Sequence, residues 1–504
     1  MEFVSKCFQE TIRGWRGKSA MRSSVWGAVA FKGGSSLSFL FPVIALLIAL
    51  IIGGVLGGFG TFAIAVIVGT LVMAIIIVLR QDELAVTLII AVHLYVDWYI
   101  GLHLFGPLMA LVLLVIYFLV RSPQFPWVDL PGKWLWALFL VLTIYPAIKG
   151  ALWLYDLASY YPSDIFGALL MYWLGIVIAR SKASVRKFFI IFAGFGTLLA
   201  IHTIIQETTG VILLGTSHYD AILLLTSNYQ LDGLNAHRVG AFFIDPNWNG
   251  TFFATIFFLP LGLFIESSSL LQKAIFLLEM ALILPALLFT YSNGAWIGIM
   301  AGILAYIVFV GRARHRILLL FFLLCSTGAL LLAFPKQIND QLFHASLPLE
   351  VSLRVGAWET AVRVMLAYPV FGLGLGYENY LIRSNPFRVP AEFIPLAHPH
   401  NSYLEWGAMA GIPVLCIFLA LLILGLWLAI RNWAISDFRV RPLLGGGIAS
   451  IIALSVNSWS INAWTLPALS MIGWLILGVI SSPLIRKNRA SEILQEKNNI
   501  QRNS

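Results

Sequence analysis

The chain has 504 residues, of which 60 % are apolar and 11 % charged, and its mean hydropathy is +0.89. Soluble domains are about 45–50 % apolar and about 25 % charged, so this composition excludes an ordinary cytosolic enzyme, a disordered chain and a secreted disulfide scaffold. It indicates an all-α, polytopic integral membrane protein. The net charge of +9 is that of basic cytoplasmic loops rather than of a nucleic-acid-binding surface. Cys7, Cys325 and Cys416 are widely spaced with no CxxC, which argues against a disulfide frame and against a metal site.

Residues 1–40 form a basic tail carrying Lys6, Arg13, Arg16, Lys18, Arg22 and Lys32. Fourteen spans are predicted after it: 41–58, 61–79, 84–101, 104–120, 134–152, 164–180, 187–206, 242–265, 274–291, 294–311, 316–334, 405–430, 442–460 and 464–481. The chain therefore reads as a tail (1–40), amino-terminal membrane helices (41–334), an external loop (335–404), carboxy-terminal membrane helices (405–481) and a second tail (482–504). The architecture expected is about 12–14 transmembrane helices with a large external loop carrying amphipathic helices. With the amino terminus inside and the spans alternating, 25 of the 32 Lys and Arg fall in cytoplasmic segments. This bias favours an even number of spans with both termini cytoplasmic. The exceptions are Lys149, which can snorkel from a helix end, and six residues confined to two external segments, 207–241 and 335–404. Those segments are the expected seat of function.

The first segment runs into RVGAFFIDPNWNG, where Asp245-Pro246 has the form of a helix start, Asp as N-cap and Pro at the first helical position. Arg238 sits just outside that span with no helical partner in sequence and is the leading candidate for an anionic group. In the second segment, residues 352–368 read as a surface helix with Leu353, Ala357, Ala361, Val364 and Tyr368 on one face. Glu359 and Arg363 are spaced as a helical ion pair, whereas Arg354 points to the opposite side and is a candidate for a ligand. Gly372, Gly374 and Gly376 resemble a phosphate cradle only weakly, since neither the preceding strand nor the following helix of a nucleotide site is there. A turn is the simpler account. His398 and His400 lie where the loop re-enters the membrane. Their spacing does not suit a metal, but a partly desolvated neutral imidazole suits a general base. Glu405 follows Ser402 at capping-box spacing.

Together these residues resemble the O-antigen ligase and polymerase superfamily of bacterial envelope glycosyltransferases. The family signature is His, then Asn/Ser/Gln, nine residues, Gly, two residues, and Gly/Thr/Val. His400-Asn401, Gly411 and Val414 fit it, and RVGAFFIDPNWNG, YSNGAWIG and LRVGAWETAVRVMLAYPVFGLGLG are similar to the family's other blocks in the family's order. The resemblance covers roughly 238–480. Two departures are Asn293, where the family often has Arg, and a span count above the usual twelve or so.

The resemblance implies transfer of a glycan from undecaprenyl pyrophosphate to an acceptor hydroxyl on a glycan or lipid, at the external face of the bacterial inner membrane. It implies His400 as general base, with Asn401 orienting it and His398 beside the substrate, and Arg238 and Arg354 on the pyrophosphate. Pyrophosphate is already a good leaving group, so no acid is required to protonate it, and guanidinium forks match phosphate oxygens. No metal, cofactor or nucleic acid is implied; the partners are the lipid-linked glycan, its acceptor and membrane lipids. The rival from another class is a transporter of a small anion such as bicarbonate. It would place ionisable groups in mid-membrane; the few candidates are His202, Glu266 and Glu279, the last two expected near the cytoplasmic side, which favours an enzyme working at the outer surface.

Overall fold

In a computed structural model, residues 81–100, 105–121, 130–152, 165–210, 238–243, 245–309, 313–339, 348–389, 398–438 and 440–485 are described, with 69, 72, 75 and 76 as isolated positions. All of them belong to the unit Val68–Ser504. The span expected at 41–58 and nearly all of that at 61–79 lie outside the described residues. The described residues are helical and contain no strand. Their helices are α1 (Asp82–Ile100), α2 (Phe105–Arg121), α3 (Lys133–Gly150), α4 (Gly167–Ile178), α5 (Lys182–Thr209) and α6 (Pro246–Glu266, interrupted at Phe257). There follow α7 (Leu270–Leu288), α8 (Asn293–Phe309), α9 (Ala313–Ala333), α10 (Pro348–Ala367), α11 (Tyr377–Arg383), α12 (Ser402–Glu405), α13 (Ile412–Ile435), α14 (Arg441–Asn457) and α15 (Pro467–Ser481). From 84–101 onward every expected span coincides with a helix. Among these, α5, α6, α7 and α13 are long and apolar enough to cross a bilayer on their own measure. The protein is a multi-pass, all-helical membrane protein.

Polar contacts sort the helix ends into two groups. At one end, Arg180 pairs with Asp82 at 2.9 Å, Lys187 with Glu83 at 2.9 Å, Arg186 with Glu266 at 2.9 Å, and Lys182 with Asp437. Arg186 also reaches Gln272 Oε1 at 2.9 Å. These are the loops whose basic residues the charge count placed on one face. The pairs are partly exposed, so each adds about 0–1 kcal/mol; their meaning is positional. Glu266, expected near the cytoplasmic side, belongs to this belt at a helix end. At the other end, Val239 N donates to Phe289 O, Ser402 N to Ser458 O and Arg354 Nη1 to Ser460 O. Helices α5 to α8 and α13 to α15 run alternately between these ends.

Small residues let α8 lie close to α14. A methyl added at Gly298 would stand 2.7 Å from Ala453 O, and one at Gly294 would stand 1.9 Å from Ser460 Oγ. Gly294, Gly298 and Gly302 thus form one small-residue ridge at spacing four, the usual means of bringing helix backbones together in lipid. This is the physical content of the YSNGAWIG block.

The segment after α9 is no slack loop. Ala361 and Val364 of α10 and Tyr380 of α11 pack with Leu373, Ala408 and Met409 in a small core of their own. Tyr368, expected on the buried face of α10, is exposed; its ring instead lies 4.9 Å from Lys149 Nζ, which also donates to Gly372 O at 2.6 Å. Lys149 therefore pins the end of α3 to the glycine turn rather than snorkelling to water.

That turn is spent on the backbone. Leu373 N and Gly374 N donate to Ala408 O and Met409 O, and Leu375 N donates to Pro146 O, all at 2.9 Å. Pro413 has no N–H to offer Met409, and Ile412 N is drawn to Pro369 O instead, so the carbonyls of 408 and 409 need outside donors. The phosphate-cradle alternative is thereby removed. The same knot explains Gly411, whose φ is +96° and where a Cβ would stand 2.2 Å from Val370 O. The span expected from 405 begins at Ile412, because residues 406–410 form a π-helical turn that Gly411 ends.

Candidate functional site

Three stretches distant in sequence meet at the turn between α14 and α15. Arg354, on α10, donates from Nη1 to Ser460 O at 2.9 Å. Trp248 Nε1 donates to Asn462 Oδ1, and Asn462 Nδ2 donates to the Tyr377 hydroxyl oxygen, each at 2.9 Å. Tyr377 lies beside His398, ring centroids 5.5 Å apart, and His398 lies against His400 at 4.1 Å. A continuous set of contacts thus links the start of α6 to both histidines.

Arg238 is buried. Its Nε donates to Thr290 O at 3.1 Å and its Nη2 to Asn247 Oδ1 at 2.7 Å. Asn247 is the second residue of α6, whose N-cap is Asp245, accepting from Asn247 N and Trp248 N with Pro246 at the first position. The segment carrying Arg238 is fixed further by Asn249 Nδ2 on Val239 O at 3.2 Å and by Ala241 N on Gln206 Oε1 at 3.1 Å. His202 of α5 stacks on Phe242, centroids 4.4 Å apart. Its place is therefore in the wall of this segment. Arg238 and Arg354 are brought to one end of the molecule, and each already has backbone partners there.

His400 has a φ of +51°, in the left-handed region that a residue with a Cβ adopts at a cost of about 1–3 kcal/mol. Three contacts hold it there. His400 N donates to His398 Nδ1 at 3.2 Å, Ser402 N donates to Ser458 O at 2.9 Å, and Asn401 caps α12 through Oδ1, which accepts from Tyr403 N and Leu404 N at 3.0 and 3.1 Å. Asn401 does not orient the His400 ring by a hydrogen bond. Its Oδ1 is spent on the cap, and its buried Nδ2 has no partner. It sets the backbone that carries His400 instead. The expected Ser402–Glu405 capping box is likewise replaced: the cap is one residue earlier, and the Ser402 hydroxyl serves Ile461 O and Trp464 N.

His398 Nδ1, accepting from an N–H, carries no proton, so the neutral ring holds its proton on Nε2. The His398 side chain is 15 % exposed, and Glu405 Oε2 stands 3.9 Å from Nδ1. Burial, and secondarily the neighbouring His400, hold the His398 imidazole well below its usual 6.5. At neutral pH it is uncharged, and the contact with Glu405 is not an ion pair. The sign for stability follows. Below about 6.5 the unfolded chain takes up a proton that the folded chain refuses, so stability falls as pH falls, by about 1.4 kcal/mol per pH unit at most. Thermal unfolding in detergent from pH 7.5 to 5 is expected to show this acid loss in the wild type and a flatter slope in His398→Gln. Equal slopes would contradict it.

Sequence reasoning did not find Trp248, Tyr377 or Asn462, which join the stretches. Their signal was faint: a run of polar residues, Asn457, Ser458, Ser460 and Asn462, between two apolar helices. The ion pair of Arg363 with Glu359 is present at 2.9 Å and leaves Arg363 outside the site.

No curated protein matches the chain. A family model described as O-antigen ligase matches residues 278–419, a stretch that includes Arg354, His398, His400, Asn401 and Gly411 and leaves Arg238 outside. That match, over part of an all-helical membrane protein, supports membership of the chain in the O-antigen ligase superfamily.

Proposed function

We propose that the protein is a membrane glycosyltransferase that moves a glycan from undecaprenyl pyrophosphate to an acceptor hydroxyl. The observation that carries the proposal is the meeting of His398–His400, Arg354 and the Arg238–Trp248 stretch around one turn at one end of the helices. His400 accepts the proton of the acceptor hydroxyl as its oxygen bonds the anomeric carbon of the donor sugar. The bond from that carbon to the pyrophosphate oxygen breaks, and the electron pair leaves with the lipid pyrophosphate. Arg238 and Arg354 supply positive charge where that leaving group gains negative charge. Neutral His398 presents Nε2–H toward the substrate, and Asn401 holds the backbone beneath His400.

The proposal places this end outside the bacterial inner membrane and the ion-paired end, with both termini, inside. The positive-inside bias supports that assignment, since the ion-paired loops are the basic ones. Cys325 and Cys416 are exposed thiols, so the test starts from a chain whose Cys7, Cys325 and Cys416 are replaced by Ser. A single Glu378→Cys at the exposed start of α11 then reports the face. Labelling of right-side-out vesicles by a membrane-impermeant maleimide is the expected result; labelling of inverted vesicles alone would overturn the orientation.

A further inference from the structure

An apolar stripe on the outside of α3 ends at a pair of cations. Val141, Ile144, Tyr145 and Ile148 are spaced as one helical face, and all four are exposed. In a helix that spans a membrane such a face meets lipid. The next residue is Lys149, in the last turn of α3. Its Nζ donates to Gly372 O at 2.6 Å, and Nη1 of Arg383, at the end of α11, donates to the neighbouring carbonyl, Leu373 O, at 3.4 Å. Adjacent carbonyls of one turn thus hold a lysine and an arginine together, close enough for each charge to act on the other. The apolar surface continues from α3 onto this turn. Phe371 is exposed with its ring 4.6 Å from that of Tyr145, and Val370 and Ile382 are exposed as well.

Like charges so placed repel, and a carboxylate between them would be the ordinary remedy. Among the described residues neither cation is ion-paired; Glu359 is taken by Arg363. An ammonium carries three N–H groups and a guanidinium five. Among the described residues Lys149 spends one, besides a contact with the Tyr368 ring at 4.9 Å, and Arg383 spends one. Two cations with donors to spare, at the end of a lipid-facing stripe, match a phospholipid: an acyl chain for the stripe and a phosphate for the cations. We infer that Lys149 and Arg383 bind the headgroup phosphate of an anionic phospholipid whose chain lies along Val141, Ile144, Tyr145 and Ile148. The phosphate offsets the repulsion between the two cations and holds the end of α3 to the glycine turn. The inference does not rest on glycan transfer, and its failure would leave that proposal untouched.

The test is native mass spectrometry of the full-length protein, delipidated in detergent. The probes are dioleoyl phosphatidylglycerol and dioleoyl phosphatidylcholine, with inorganic phosphate and geranyl pyrophosphate as competitors. The wild type is expected to bind its first phosphatidylglycerol more tightly than phosphatidylcholine. That preference should fall about five-fold in Arg383→Gln and in Lys149→Gln, the effect of one cation at a membrane surface. Glutamine keeps an N–H for the carbonyl, so the change removes charge rather than the brace. Arg383 is exposed, so Arg383→Gln is expected to keep the wild-type unfolding midpoint, and it carries the test should Lys149→Gln not fold. Equal binding of the two lipids by the wild type, or an unchanged preference in Arg383→Gln, would overturn the inference. So would displacement of phosphatidylglycerol by inorganic phosphate, which would mark a site for the free anion, or preferential displacement by geranyl pyrophosphate, which would mark one for a lipid pyrophosphate.

Discussion

Replacing His400 by alanine is expected to lower the rate of glycan transfer by about 10²- to 10⁴-fold, the usual contribution of a positioned general base. The loss should fall on kcat, because the imidazole acts on a proton in flight rather than on the bound ground state. Stability should move the other way. His400 sits at φ +51°, and strain of this kind is relieved least by another residue with a Cβ and most by glycine. His400→Gly should therefore unfold at a slightly higher temperature than His400→Ala while being equally inactive. A purely structural His400 would give the opposite coupling, with activity tracking the unfolding midpoint. Measurement of kcat, KM and midpoint for the wild type and both variants separates the two.

The second large effect is expected at Arg354. Its Nη1 donates to Ser460 O at 2.9 Å, so removal leaves an unmet carbonyl in the turn and, on the proposed mechanism, takes away a cation from beside the leaving group. Arg354→Gln separates them, since it can keep an N–H donor but carries no charge. Transfer should fall about 10²- to 10³-fold in Arg354→Gln, the scale of one lost electrostatic stabiliser of a transition state. Arg354→Lys should recover part of the rate, because charge returns without the planar fork. If the Gln variant works as well as the wild type, Arg354 only braces the turn. Arg238 is less suited to this test. Its Nε and Nη2 both serve as braces, on Thr290 O and Asn247, and its loss would disturb the start of α6 as well as the charge.

What could be read from the sequence was what depends on neighbours in the chain. Asp245-Pro246 announced the start of α6 because cap chemistry is local. Glu359 and Arg363 announced their pair because four residues are one helical turn. Composition announced the membrane. Errors came where a local rule met a second local candidate or a distant partner. Ser402 and Glu405 had the spacing of a capping box, but Asn401 stood one residue closer and took the cap. Gly372 to Gly376 read as a turn, and they form one, but its cause is distant: Leu373 N and Gly374 N answer the carbonyls of 408 and 409 that Ile412 and Pro413 leave unmet, a demand set some forty residues later. The start of α13 was displaced for the same reason, since a π turn ending at Gly411 looks, residue by residue, like more apolar helix. Beyond the faint polar stretch around Asn462, nothing announced Trp248, Asn462 and Tyr377, because an indole, an amide and a phenol from three segments have no spacing to join them.

Reconstitution tests the central claim most directly. The purified full-length chain in proteoliposomes is supplied with an undecaprenyl-pyrophosphate-linked oligosaccharide and a hydroxyl-bearing glycan acceptor, and both the transferred glycan and the released lipid pyrophosphate are counted. The account predicts that the two appear one for one in the wild type and that neither appears in His400→Ala. Flux of bicarbonate across the same membranes with no transferred glycan, or equal transfer by wild type and His400→Ala, would contradict it.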